Sequence, residues 1–219
     1  MAENYFNYPD ETIFHGITDN SNGFTFLEAR ALAIDDEKLF KLKERLSCYY
    51  LTGLKELGNP FTIAVLTCMG IEVLGQVILG FNSKGDTIDS NTILIYEMLD
   101  SKMQDVLSPN FALNYNLRRN ITGQNIDFTL DFTSYARVVR KGLRNAFTHT
   151  YRSLGVFLDA GQSDLLLIDE NIGCLIINPI VFRERFLSVF EKTFSDLISN
   201  VNPIYRQNAL IYFNLLIKQ

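Results

Sequence analysis

Arg144, Asn145, His149 and Tyr151 fall within eight consecutive residues, R-N-A-F-T-H-T-Y. Their types suit scission of a phosphodiester whose own 2′-hydroxyl is the nucleophile, that is, RNA. The hydroxyl must lose a proton as it attacks phosphorus. An imidazole with an unperturbed pKa of about 6.5 takes that proton near neutral pH. The phosphorane gains negative charge, and a guanidinium, always cationic and bidentate toward phosphate, holds it. Asn145 can orient the Arg or the phosphate through its amide. This route needs no acidic triad, so neither a metal nor another cofactor is implied.

The spacing predicts a helix from about Asp131 to Leu154 to carry these groups. At about 100° per residue, Phe132, Ala136, Val139, Leu143, Ala146, Phe147, Thr150 and Leu154 share a core-facing arc. Arg137, Arg140, Lys141, Arg144, Asn145, His149, Tyr151 and Arg152 are expected on the opposite arc. This is the densest basic stripe in a chain of net charge −5. A local positive field on an acidic body is what a phosphate-binding cleft needs. Arg137, Arg140, Lys141 and Arg152 are therefore read as an RNA-binding track. Arg144 and His149 sit about 140° and about 7.5 Å apart on such a helix. One helix gives only a shallow site; two facing each other across a two-fold axis would gather two Arg and two His. A homodimer is expected on that ground.

R-N-A-F-T-H-T-Y resembles the signature of HEPN ribonucleases, in which Arg, a polar residue that is often Asn, a short spacer and His follow in order. It also resembles the longer form with Tyr two positions after His. That form occurs in HEPN toxins whose nucleotidyltransferase antitoxins adenylylate the Tyr. The resemblance implies a helical bundle, usually dimeric, that cuts RNA independently of metal and leaves a cyclic phosphate. By position it makes Arg144 and His149 catalytic, Asn145 supporting and Tyr151 a candidate modification site. A nucleotidyltransferase-type antitoxin becomes a candidate partner, and a defence, toxin or stress role is implied. The alternative is a HEPN module that holds RNA, a nucleotide or a protein partner without cutting.

The rest of the chain must build the scaffold. Its 219 residues fit one domain, and 47% hydrophobic against 21% charged residues supports a sizeable core. Cys48, Cys68 and Cys174 are widely spaced with no C-x-x-C, which argues against zinc and for a reducing, cytoplasmic setting. No signal-peptide pattern is seen at the N-terminus. Pro60 to Phe81 is apolar over about 20 residues, enough to cross a bilayer by length. Glu72 and Gln76 inside it, with Gly70, Gly75 and Gly80, favour a buried central helix and no membrane partner. Glu72 could pair with an Arg of the site; reaching a helix end or a core Tyr is the favoured reading.

The expected architecture is an all-α, HEPN-like bundle of five to seven helices with one small β-hairpin near 164–177. Residues 1–24 read as an irregular arm and 25–219 as a single domain. Thr25 with Glu28 forms a capping-box pattern. Asp35 opens a helix to about Leu57, stopped by Gly58-Asn59-Pro60. Ser90 is expected to cap a helix from Asn91 to Leu107, broken by Ser108-Pro109-Asn110. Asn178-Pro179 and Asn202-Pro203 start the last two helices. Phe186, Phe190 and Phe194, spaced by four, read as core or dimer packing.

Overall fold

Asn-Pro pairs punctuate the chain because each solves both problems of a helix start. The Asn side chain accepts orphan N–H groups, and the Pro ring presets φ where no donor is needed. In the computed structural model, which describes residues 12–16, 23–80, 86–121, 133–145 and 155–218, three helices begin this way. Asn59 opens α4 (Pro60–Leu79), Asn178 opens α8 (Pro179–Ile198) and Asn202 opens α9 (Pro203–Ile217). Before α4 come α1 (Phe26–Ala31), α2 (Asp35–Leu46) and α3 (Thr52–Glu56), with a π turn at Ser47–Leu51 between the last two. Between α4 and α8 lie α5 (Asp86–Leu99), a 3₁₀ turn at Ser101–Gln104, α6 (Pro109–Ile121), α7 (Tyr135–Val139) and a second π turn at Arg140–Asn145.

The fold is mainly helical, as composition and periodicity predict, but its sheets exceed the single hairpin. Strand β4 (Leu166–Asp169) and β5 (Cys174–Ile177) form the expected antiparallel pair, with Leu166 opposite Ile177 and Asp169 opposite Cys174. A third strand, β3 (Val156–Leu158), lies on the other side of β5 and runs parallel to it. At three residues it is too short to show a strand period. The arm expected to be irregular also holds β-structure. Strand β1 (Ile13–His15) pairs with β2 (Phe24–Thr25), and Phe14 is fully buried against Phe26 and Phe213. The helix expected over 91–107 starts earlier and stops at Leu99, because Asp100 accepts from Lys102 N–H and opens the 3₁₀ turn. Ser108-Pro109, expected to break that helix, instead begins the next one: Ser108 Oγ accepts from Phe111 N–H at 3.2 Å.

Helix α4 is the axis of the bundle. It packs against α5, α8, α9 and the second π turn, and buries Ile63, Ala64, Cys68, Ile71, Leu74, Val77 and Ile78. Its length and apolarity would also let it cross a membrane, but 56% of its most apolar window is buried inside the protein. Gly70 lets Tyr50 and Phe186 approach α4 closely. A Cβ there would lie 2.6 Å from the Tyr50 ring and 2.7 Å from the Phe186 ring. Phe186, Phe190 and Phe194 all point into the core. The sheet is pinned to α6 through Gly173 (φ 59°), whose absent Cβ would fall 2.1 Å from the Tyr115 backbone nitrogen.

Candidate functional site

Helix α7 is short, and both its ends are anchored to distant chain. At its start, Tyr135 N–H donates to Asp105 O (3.3 Å) and Ser108 N–H donates to Tyr135 Oη (3.4 Å). The Tyr135 ring meets Phe111 edge-on at 5.2 Å. Ala136, Val138, Val139 and Leu143 are buried, so the expected apolar arc does face the core within the described residues. From Arg140 onward the helix widens into the second π turn, which ends at Asn145. Arg144 and Asn145 close that turn. A π turn interrupts the α-helical ladder with i→i+5 bonds, and such turns occur frequently at functional sites.

Arg140 does not lie on an exposed basic stripe. It is 5% exposed, and its Nη2 sits 3.8 Å from Glu72 Oε1 of α4. The reason is geometric: on an ideal wheel Arg140 falls only about 40° from Ala136, at the seam between the two arcs. At that seam α4 presents Glu72, whose side chain is 16% exposed. At an effective dielectric of about 20, unit charges at this separation attract by about 4 kcal/mol, much of it offset by desolvation. Tyr96 of α5 is fully buried beside them; burial pushes its phenol well above the usual range, and the pair's opposite charges act on it in opposite senses. Cys68, one helical turn before Glu72, also acts on the Tyr96 phenol.

The other residues expected on the polar arc divide in two. Arg137 and Lys141 are half-buried. His149, Tyr151 and Arg152 lie outside the described residues, between Asn145 and Gly155. The next described element is β3. Sequence reasoning thus placed Arg137 and Lys141 where solvent can reach them and misplaced Arg140. The signal that could have corrected Arg140 was the lone charge on α4, Glu72, which a buried cation must meet.

A second group of charged and aromatic side chains surrounds His15 on β1. Its ring stacks on Phe24 at 5.0 Å, and Nε2 lies 3.2 Å from Glu44 Oε2. Lys41 Nζ stands 4.6 Å from the Phe24 ring centre, and Arg45 lies over Phe14 at 4.7 Å. Burial lowers the His15 pKa below its ordinary 6.5; Glu44 raises it in part, and Lys41 and Arg45 lower it further. This cluster ties β1 to α2 and is remote in sequence from Arg144. No protein-family model, curated protein or solved structure matches this chain.

Proposed function

We propose that the chain is a HEPN-type endoribonuclease that cuts single-stranded RNA without a metal, through attack of the 2′-hydroxyl to leave a cyclic phosphate. The observation that carries this reading is the motif R-N-A-F-T-H-T-Y opening on the last two residues of a π turn of sequence R-K-G-L-R-N. His149 takes the 2′-hydroxyl proton, Arg144 holds the phosphorane charge and Asn145 orients one or the other, while the bond from phosphorus to the 5′-oxygen breaks and that oxygen takes up a proton and leaves as a hydroxyl. Arg137, Lys141 and Arg152 supply the RNA track. A second copy of the chain completes the cleft. Tyr151 follows the catalytic His as in toxins silenced by adenylylation, so a nucleotidyltransferase-type antitoxin is the partner this reading implies.

The test is cleavage of single-stranded RNA by the purified protein in EDTA. Wild type is expected to yield 2′,3′-cyclic phosphate ends. His149→Ala and Arg144→Ala should each lower the rate by roughly 10²- to 10⁴-fold, the usual contribution of a positioned proton acceptor or charge stabiliser. Cleavage untouched by either substitution would remove these residues from the mechanism. Salt-sensitive RNA binding with no cleavage would point to a HEPN module that binds without cutting.

A further inference from the structure

We propose that Glu72 is a positioning residue for the motif: its carboxylate, presented from α4, holds Arg140 and thereby the π turn that delivers Arg144 and Asn145. The catalytic part of this inference rests on the ribonuclease reading above. Glu72 is the one charged residue among the 20 of α4, the central helix of the bundle. Keeping a carboxylate there is costly, and well-packed apolar residues often serve stability as well or better. A role in holding geometry accounts for the charge where packing does not. The partner it meets is the first residue of the second π turn, 3.8 Å away and 5% exposed. Arg144 follows Arg140 by four residues, close to one helical turn. The pair therefore pins the turn one step before the motif begins, while Tyr135 and Asp105 pin the start of the same helix.

The experiment uses Glu72→Gln, which keeps the shape and removes the charge, and Glu72→Asp, which keeps the charge on a shorter arm. Amide hydrogen exchange is read at residues 141–145 and, as the internal reference, at residues 182–197 of α8. Steady-state RNA cleavage is read in parallel. Glu72→Gln should speed exchange at 141–145 on the order of tenfold or more with the α8 amides unchanged, since only a local opening is released. It should lower kcat on the order of tenfold with KM within about twofold, as expected when reacting groups are held slightly out of place. Glu72→Asp should recover part of both effects. Exchange at 141–145 that matches wild type, or that rises only in step with α8, overturns the proposal. So does local loosening with kcat unchanged. A wild-type protein that cuts no RNA removes the ribonuclease reading instead, and exchange alone then decides whether Glu72 holds the turn.

Discussion

Two Asn-Pro helix starts that look alike in sequence should respond oppositely to the same substitution. Asn178 accepts from Ile180 N–H (2.9 Å) and Val181 N–H (3.1 Å), and its Nδ2 also donates to Gln162 O (2.5 Å) and Ala160 O (3.4 Å). It is 4% exposed. Asn202 accepts from Ile204 N–H (3.1 Å) and Tyr205 N–H (3.2 Å) at a half-buried position. Asp caps helices as well as Asn and gains from the helix dipole, so Asn202→Asp should change stability by no more than about 0.5 kcal/mol or raise it slightly. At position 178 the same change keeps the cap but places a carboxylate oxygen against two carbonyls. Losing a buried donor and leaving the Gln162 carbonyl unsatisfied costs about 1–3 kcal/mol, and desolvating the new charge adds to it. Asn178→Asp should therefore cost on the order of 3 kcal/mol. Asn178→Ala, which loses the cap (about 1 kcal/mol) and the same donor, should cost about as much. Urea denaturation followed by far-UV circular dichroism reads these differences directly. If Asn178→Asp is as stable as Asn202→Asp, the bonds from Asn178 to the 160–162 segment do not hold that segment to α8, and the reasoning fails.

Arg140→Met should lower stability by roughly 3 kcal/mol by stranding Glu72, while Glu72→Leu with Arg140→Met should return to within about 1 kcal/mol of wild type; a double-mutant cycle in urea checks this, and additive losses would contradict it. Lys141→Ala should reduce the salt dependence of RNA binding by about one counterion. Gly173→Ala should cost more than about 3 kcal/mol, since it adds a Cβ at positive φ against the Tyr115 backbone; a thermal midpoint within a few degrees of wild type would refute the close approach. His15 has a folded pKa below its ordinary 6.5, so its contribution to stability is present above about pH 6.5 and is lost as pH falls through the folded value. Urea midpoints at pH 7.5 and 5.5 should therefore drop more on acidification in wild type than in His15→Gln.

What was legible in the sequence is what is settled within three or four residues. Thr25 and Glu28 exchange bonds in a complete capping box, and Asn59, Asn178 and Asn202 each accept from the first turn of their helix. The β4–β5 pair was readable because its two runs flank a short turn. The apolar stretch of α4 announced a central helix because Glu72 and Gln76 within it disfavour lipid.

Tertiary contacts decided the rest. Strand β3 is assigned by parallel pairing to β5, nearly 20 residues away, which a three-residue stretch cannot signal. Phe14 belongs to the core because Phe26 and Phe213 enclose it, although the two-residue pairing of so short a strand gives no local signal of it. Both π turns break a period that the sequence would continue as α-helix. Arg140 shows the difference most directly. A helical wheel assigns a face, but whether a seam residue turns outward or inward depends on what stands opposite. Here that is Glu72, 68 positions earlier in the chain. Local hydrogen bonding is encoded in a short window; the environment of a buried charge is set by the whole fold.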